Sequence, residues 1–339
     1  MADSEKLPTQ MKAWLYSSTA GGIEKNLGLS TSARVPPTVR QDQLLVQVIS
    51  VSINPADIKV PEGPVTRVII SKPASPCMDF CGKVVTVGPN VTEFKPGQLV
   101  YGSLGLPTQF GSLAEYIIAP TSGTALLPEG VDPDHAATLG VAGQTAYQAL
   151  QPYVTAGDKV FINGGSGGCG IFAIQIAKVL GCHVTTSCST KNVQFCKDLG
   201  ADEVLDYTAL DVTATLKNKG HVFSHVIDHI GIPLDLYNEC HHFLLPGKSF
   251  VQVGAASMLT YVNRVARPRL LGGGQRKYDI LLWRNKKDGL VQVGEWMHEG
   301  KVKAALDSTF EFEDAVKAFE KLRTGHARGK IVIHVASKP

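Results

Sequence analysis

The feature that most constrains this chain is a glycine-rich turn at residues 163–170, which reads Asn-Gly-Gly-Ser-Gly-Gly-Cys-Gly. A predicted buried strand at 159–162 precedes the turn and a predicted apolar helix follows it. Gly165, Gly167 and Gly170 have the GxGxxG spacing, which allows a tight turn, a close approach of backbone to pyrophosphate, and packing of helix on strand. A plain turn is the alternative. In this context the motif predicts a dinucleotide site with the phosphates at the positive end of the helix.

The residues after the second predicted strand, at 183–186, distinguish between the two nicotinamide cofactors. Sites for NAD usually place a carboxylate about 20 residues beyond the glycines to hold the ribose 2′-hydroxyl. Residues 187–192 read Ser-Cys-Ser-Thr-Lys-Asn and contain no acid. A carboxylate would repel a 2′-phosphate, whereas hydroxyl and ammonium groups bind it through charge-assisted hydrogen bonds. The segment therefore predicts NADPH, with Ser189 and Lys191 at the phosphate, and Ser189 can also cap the helix that follows.

The remaining periodicity predicts two domains, as expected for 339 residues. The first third is β-rich and punctuated by glycine and proline. From about residue 135, short β-branched runs alternate with helices, which is typical of a doubly wound parallel α/β sheet. The tail beyond residue 265 could return to the first domain. The predicted strands are 44–51, 83–87, 159–162, 183–186, 204–205, 225–227, 249–253, 304–308 and 330–335, and the predicted helices are 171–180, 191–199 with Gly200 as C-cap, 290–297 and 313–322.

Composition and charge exclude several classes of function. The formal net charge of +3 gives no reason to expect nucleic acid as a partner. The longest apolar stretch, about ten residues, is far shorter than the roughly 18 to 20 that a transmembrane helix needs. The first residues are acidic with no apolar core behind them, so we expect no targeting signal and a cytoplasmic location. Seven cysteines without CxxC pairs are typical of free thiols in a reduced compartment.

Six segments in order along the chain form a recognisable series: 51–59, 78–82, 142–146, 163–170, 199–207 and 329–332. Together they resemble the medium-chain dehydrogenase/reductase superfamily in its zinc-free quinone oxidoreductase branch, especially the chloroplast-envelope quinone oxidoreductase homologues. The resemblance implies a GroES-like β-rich catalytic domain at 1–134 and 265–339, and a Rossmann NADPH-binding domain at 135–264. It also implies a homo-oligomer.

The resemblance also implies roles for individual residues. Asn54 and Lys59 would lie near the nicotinamide and orient it or a substrate oxygen. For Lys59 a solvated surface lysine is the alternative, and for Tyr207 an aromatic side chain packed at a strand edge. The implied cofactor residues are Thr145 near the phosphates, Gly165, Ser166, Gly167, Gly168 and Gly170 in the turn, Ser189, Lys191 and Tyr207 around the 2′-phosphate, and also Gly254 and Lys330.

Zinc is not expected, because zinc members of the superfamily carry a cysteine, a Gly-His-Glu segment and a four-cysteine cluster. Residues 77–80 here read Cys-Met-Asp-Phe, and Asn54 stands near the first ligand position. A strand would place Cys77, Asp79 and Cys81 on one face, but no histidine accompanies them. We therefore predict no metal.

Without a metal, reduction of a conjugated double bond is the least demanding hydride chemistry. Hydride goes to the β-carbon while hydrogen bonds hold the developing enolate oxygen. We predict an NADPH-dependent oxidoreductase acting on a small quinone, enone or enal. The alternatives are an enoyl-thioester reductase acting in trans in fatty-acid or polyketide biosynthesis, and a non-catalytic NADPH-binding protein.

A basic cluster within residues 264–287 has two interpretations. It is either a solvated surface, or a surface that binds an acidic carrier, a phosphate-bearing substrate or a membrane. The cluster consists of Arg264, Arg267, Arg269, Arg276, Lys277, Arg284, Lys286 and Lys287.

Overall fold

The computed structural model describes residues 7–254, 260, 261, 264 and 274–338, and it divides into two compact units. The first unit contains the described residues up to Val141 together with Arg284–His298 and the chain from Leu306 onward. The second contains the described part of Ala142–Trp283 together with Glu299–Ala305. The chain passes from the first unit to the second after Val141 and returns to the first at Arg284, whereas the resemblance implied these changes after residues 134 and 264.

A seven-stranded mixed sheet and a two-stranded antiparallel sheet form the first unit. The large sheet has the order β14-β15-β3-β4-β5-β7, and β6 also pairs with β3. The elements are β1 Gln10–Tyr16, β2 Leu27–Arg34, β3 Gln43–Ile53, α1 Pro55–Glu62, α2 Thr66–Ile69, β4 Asp79–Val87, β5 Leu99–Ser103, β6 Tyr116–Pro120, β7 Thr124–Leu126, α3 Pro133–Ala137, α8 Lys287–His298, β14 Leu306–Glu311, α9 Ala315–Arg323 and β15 Lys330–His334.

Strand β3 organises this unit, because its Leu, Val and Ile side chains are buried along nearly its whole length. It lies between β15 and β4, and Ile331 of β15 pairs antiparallel with Ile53. The last strand of the chain therefore belongs to the large sheet of the first unit. The penultimate strand, predicted at 304–308, lies two to three residues later, at Leu306–Glu311.

A six-stranded sheet forms the second unit, and every strand in it is parallel to its neighbours. Its order is β10-β9-β8-β11-β12-β13, so the predicted doubly wound sheet is confirmed. The elements are α4 Gln144–Leu150, β8 Lys159–Asn163, α5 Gly170–Val179, β9 His183–Cys188, α6 Val193–Asp198, β10 Glu203–Asp206, α7 Val212–Asn218, β11 His225–Asp228, β12 Ser249–Gln252 and β13 Lys277–Ile280.

Strand β13 explains the shifted boundary, because it pairs with β12 and so belongs to the second unit. The helix predicted at 191–199 is a 3₁₀ turn, Thr190–Asn192, followed by α6. Gly200 has a φ of 103°, as expected for the glycine that ends a helix. No helix in the described part of the chain is both long and apolar enough to cross a bilayer.

Candidate functional site

The glycine turn leaves β8 at Asn163 and opens α5 at Gly170. A Cβ atom on Gly165 would lie 2.2 Å from the Thr186 hydroxyl oxygen, and one on Gly170 would lie 2.2 Å from the Gly164 carbonyl oxygen. A Cβ on Gly167 would meet nothing closer than 3.6 Å. Two glycines are therefore required by packing within the protein. The third leaves open space beside the backbone, as a pyrophosphate group needs.

Side-chain hydrogen bonds connect the carboxyl ends of three adjacent strands, β9, β8 and β11, beside this turn. The Asn163 amide nitrogen donates to Asp228 Oδ1 at 2.8 Å, and the Ser187 hydroxyl donates to Asn163 Oδ1 at 2.6 Å. The backbone nitrogen of Gly164 donates to the Ser187 oxygen at 3.1 Å. Strand order reverses between β8 and β11, and such a reversal opens the crevice where dinucleotides bind. The residues of this edge thus fit a dinucleotide.

The segment after β9 lies beside the glycine turn. Asn192 Nδ2 donates to the Ser166 hydroxyl at 3.1 Å and lies 3.4 Å from the Ser189 hydroxyl. Lys191 is exposed in the 3₁₀ turn Thr190–Asn192, which follows Ser189. Tyr207 is 57% exposed, and its backbone nitrogen donates to the Cys188 carbonyl at 3.0 Å. The structure therefore brings these predicted residues to one edge of the sheet. Asn192, which sequence reasoning missed, connects two of them, Ser166 and Ser189.

An acid that sequence reasoning also missed lies at the end of β10. Asp206 Oδ1 accepts hydrogen bonds from the Thr208 backbone nitrogen at 2.9 Å and hydroxyl at 2.7 Å. Hydrogen bonds from Thr190 and Thr208 lower the pKa of this carboxyl. The Asp206 carboxylate is therefore engaged by the protein's own donors. Asp206 lies near the segment after β9 because it ends the strand that pairs with β9, and the sequence alone does not show that pairing.

Two further predicted cofactor residues belong to the second unit. Thr145 is buried in the first turn of α4. Gly254 follows β12, and a Cβ on it would lie 2.0 Å from the carbonyl oxygen of His229. Gly254 is thus required for close backbone packing, and its contact with the cofactor stays a prediction, as does that of Thr145.

The predicted catalytic residue Asn54 lies in a buried polar cluster of the first unit, formed by Asn54, Asp57, Asp79 and Lys330. Asn54 precedes α1, and its backbone nitrogen donates to Asp57 Oδ2 at 2.6 Å. Its side-chain nitrogen donates to Asp79 Oδ2 at 2.8 Å. The Lys330 ammonium donates to Asn54 Oδ1 at 2.5 Å and to the Ile53 carbonyl at 3.2 Å. Lys330, predicted to bind the cofactor, is therefore brought to Asn54, and its contact with the cofactor stays a prediction.

Burial controls the charges of this polar cluster. Desolvation, followed by the charge of Asp79, raises the pKa of Asp57 to about 8. Desolvation also raises the pKa of Asp79 to about 6, against the lowering effect of the Lys330 ammonium and the Asn54 hydrogen bond. At neutral pH, Asp57 is therefore mainly protonated and Asp79 mainly ionised. The cluster then contains one negative charge, on Asp79, and one positive charge, on Lys330.

These neighbours fix the orientation of the Asn54 amide. An ammonium group can only donate, so the amide atom that faces Lys330 is the oxygen. The nitrogen then faces the Asp79 carboxylate, which accepts one of its two hydrogens. Any further partner of this amide nitrogen must be an acceptor, such as a carbonyl oxygen. Lys59, the second predicted catalytic residue, is exposed in α1.

The segment around Cys77 differs from the strand expected there. Strand β4 begins at Asp79, and Cys77 has a φ of 77°, so side-chain alternation does not extend back to Cys77. Burial raises the pKa of the Cys77 thiol well above its usual range. Among the described residues, no group of three or more His, Cys, Asp and Glu side chains is placed to hold a metal ion.

The basic residues at 264–287 are engaged individually. Arg264 forms a buried ion pair with Asp228 at 3.0 Å. Arg276 donates to two backbone carbonyls at 2.9 and 3.0 Å. Lys277 pairs with Asp279 at 3.0 Å and Lys287 with Glu93 at 2.5 Å. Arg267 and Arg269 lie outside the described residues. These contacts favour the interpretation that the basic residues stabilise their own unit over the interpretation that they form one shared anion-binding site.

Comparisons with known proteins agree with this arrangement. Residues 40–129 match the alcohol dehydrogenase GroES-like domain family, and residues 199–333 match the zinc-binding dehydrogenase family. The trans-enoyl reductase pgmF of Aspergillus terreus is 46% identical over 97% of both chains. The chloroplast envelope quinone oxidoreductase homolog of Arabidopsis thaliana is 33% identical over 95% of this chain and 98% of that protein. The solved quinone oxidoreductase from Coxiella burnetii has a TM-score of 0.84 and 31% identity, covering 96% and 99% of the two chains.

The fold and the glycine turn define an oxidoreductase that uses a pyridine nucleotide. The chain belongs to the medium-chain dehydrogenase/reductase superfamily, in the quinone oxidoreductase branch. The resemblance, the enzyme class and the GroES-like plus Rossmann architecture predicted from the sequence are thereby confirmed.

Proposed function

We propose that this protein is an NADPH-dependent reductase that transfers hydride to the conjugated double bond of a small quinone, enone or enal. The observation that carries the proposal is the Asn54 amide, oriented by Lys330 and Asp79 so that its remaining N–H is a donor. A donor of this kind suits a carbonyl oxygen that gains negative charge as hydride arrives at the β-carbon. The names of the quinone oxidoreductase relatives support the same class of acceptor.

The residues of the second unit support NADPH as the cofactor. The bound cofactor would supply the hydride. Gly167 leaves space for its pyrophosphate, and Ser189 and Lys191 offer a hydroxyl and an ammonium for the 2′-phosphate. Asn192 would hold Ser166 and Ser189 in place. The segment 187–192 contains no carboxylate that would repel the phosphate.

A second candidate is an enoyl-thioester reductase that acts in trans on carrier-bound substrates. The 46% identity with a protein named trans-enoyl reductase favours it. The reacting group, a double bond conjugated with a carbonyl, is the same in both proposals. The difference lies in whether the acceptor is a free small molecule or a thioester.

The deciding experiment follows oxidation of NADPH and of NADH with ortho- and para-quinones, 2-alkenals, cyclic enones, enoyl-CoA thioesters and carrier-bound enoyl thioesters. We expect turnover of free quinones or enones with NADPH, unchanged by a chelator. Turnover of thioesters alone would establish the second candidate. Inhibition by the chelator that added zinc reverses would refute the proposed metal-free chemistry. NADPH binding without consumption of any acceptor would favour a non-catalytic protein.

We further propose that the protein acts in the cytoplasm as a homo-oligomer and binds neither nucleic acid nor zinc. Its seven cysteines form no disulfide, which supports a reducing compartment. Cell fractionation and light scattering of the purified protein test the first two statements. Retention on a nucleic-acid column or stoichiometric zinc in the purified protein would contradict the others.

A further inference from the structure

The first unit carries exposed apolar side chains on two of its segments, 63–70 and 104–110. Helix α2 belongs to the first segment, and the second segment follows β5. The exposed fractions of these side chains lie between 64% and 78%. Single exposed apolar residues are ordinary, whereas a group of them marks an interaction surface. We call this group the apolar patch, and it consists of Val65, Val68, Ile69, Leu106 and Phe110.

Hydrogen bonds bring the two segments of the apolar patch together. The Ser75 backbone nitrogen donates to the Gln109 carbonyl at 2.8 Å, and Ser75 pairs with Phe110 in a short parallel bridge. Lys72 connects the backbone before Ser75 to α2, because its ammonium donates to the Arg67 carbonyl at 2.8 Å. The two segments therefore lie next to each other, on a backbone that is fixed by its own contacts.

The charges around the apolar patch are positive. Residues 63–76 contain two basic residues and no acid, and residues 104–112 contain no charged residue. One of the two basic residues, Arg67, is exposed in α2. The nearest acid along the chain, Glu62, forms an ion pair with Arg323. The surface thus combines exposed hydrocarbon with positive charge.

Shape and charge argue against two kinds of occupant for the apolar patch. A small-molecule site is concave and buries the side chains that line it, whereas these side chains are mostly exposed. A second copy of the chain, bound across a twofold axis, would bring two identical positive surfaces together. An anionic lipid bilayer matches both properties, because its hydrocarbon takes up apolar side chains and its headgroups attract basic ones.

We propose that the apolar patch docks the protein peripherally on a lipid bilayer that contains anionic headgroups. Val68, Ile69 and Phe110 enter the boundary between headgroups and acyl chains, and the Arg67 guanidinium stays among the phosphates. Each apolar side chain that leaves water, and each basic residue near the headgroups, adds to the affinity. The docking concerns a surface of the first unit and does not depend on the proposed reductase function.

The test is sedimentation of the purified protein with vesicles of phosphatidylcholine, alone or mixed with an equal amount of phosphatidylserine. We expect the wild type to bind the mixed vesicles at least about fivefold more tightly than the neutral ones. Val68→Ser combined with Phe110→Ser should weaken this binding at least about tenfold, because two apolar side chains are lost from the contact. Arg67→Gln should weaken binding to the mixed vesicles about fivefold and leave binding to neutral vesicles unchanged.

Leu234→Ser provides the matched control. Leu234 is 65% exposed, as the patch residues are, but it belongs to the second unit. Its substitution should leave vesicle binding unchanged. The melting temperature of every variant should stay within about 2 °C of that of the wild type, since exposed side chains contribute little to stability.

Several results would overturn the proposal. The first is a wild type that stays in solution with both kinds of vesicle, and the second is an equal loss of binding in the double variant and in Leu234→Ser. A double variant that binds vesicles normally but has a higher KM for a water-soluble acceptor would assign the apolar patch to the substrate site. A double variant that binds vesicles normally but loses a dimer in light scattering would assign it to a second copy of the chain.

Discussion

The polar cluster of the first unit and the glycine turn of the second offer contrasting kinds of site. In the cluster, Asn54, Asp79 and Lys330 are buried and bonded to one another. At the turn, the important groups are partly exposed backbone and the surrounding Ser189 and Lys191. The cluster is defined by charge balance, and the turn by space that side chains leave open.

This difference determines which substitutions each region can tolerate. A buried cluster depends on every member, because loss of one group leaves another without its partner. Cofactor binding at the glycine turn depends on the absence of side chains at a few positions. The charged and polar side chains around the turn act independently of one another. Substitutions in the cluster should therefore change stability and its pH dependence, whereas substitutions at the turn should change affinity for the cofactor.

The largest effect is expected for Gly170→Ala. The added methyl would strike the Gly164 carbonyl, which is backbone and cannot rotate away, so the turn must open. We expect a loss of NADPH affinity of at least about 100-fold and a lower melting temperature. Gly167→Ala is the matched variant, since its methyl has room. It should lose affinity with an unchanged melting temperature, and full affinity would show that no pyrophosphate approaches there.

Next in size is Lys330→Met in the polar cluster. Asn54 Oδ1 would lose its donor, and Asp79 the ammonium that lowers its pKa, so we expect a loss of about 2 kcal/mol of unfolding free energy. The loss should be greater at pH 8 than at pH 5, because Asp79 must then be buried as an uncompensated charge. Lys317→Met, at an exposed ion pair, should change little. Denaturant unfolding at the two pH values measures this, and equal losses would contradict the charge balance.

A smaller effect, about tenfold, is expected for Lys191→Ala on NADPH binding. NADH binding should change less than about twofold, because NADH has no 2′-phosphate for an ammonium to hold. Lys197→Ala, at an exposed lysine of α6, is the control and should affect neither cofactor. Fluorescence titration with both nucleotides gives the ratio. Equal weakening of the two would remove Lys191 from the proposed 2′-phosphate site.

The smallest effect is a stabilisation, expected for Asp57→Asn at high pH. The folded pKa of Asp57, about 8, lies above its unfolded value, so the folded protein retains the proton and loses stability as pH rises between about 4 and 8. Asparagine keeps an oxygen for the Asn54 backbone nitrogen without the charge. We expect a melting temperature higher than that of the wild type by roughly 2–4 °C at pH 8, corresponding to about 1 kcal/mol, and little difference at pH 5. A shift that is equal at both pH values would show that Asp57 does not titrate in this range.

Much of the second unit could be predicted from the sequence because its signals are local. The glycine turn, the apolar α5 and the short strands are adjacent in the chain, and the structure has them within a few residues of the predicted positions. Strand β13 could not be predicted, since only pairing with β12 distinguishes it from a loop. Asp206 was missed for a similar reason, because its nearness to the segment after β9 follows from strand register.

The sequence by itself determined the fold class, the superfamily and the glycine turn, because each depends on residue types at fixed spacing along the chain. Only the tertiary structure decided which groups meet. It brought Lys330 to Asn54 across 276 positions and gave Asp57 and Asp79 different charges at one buried place. It also left both ring nitrogens of His229 without a hydrogen bond to any described residue, beside the reversal of strand order. Burial and long-range contact set pKa values and unmet hydrogen bonds, and neither can be read from a linear pattern.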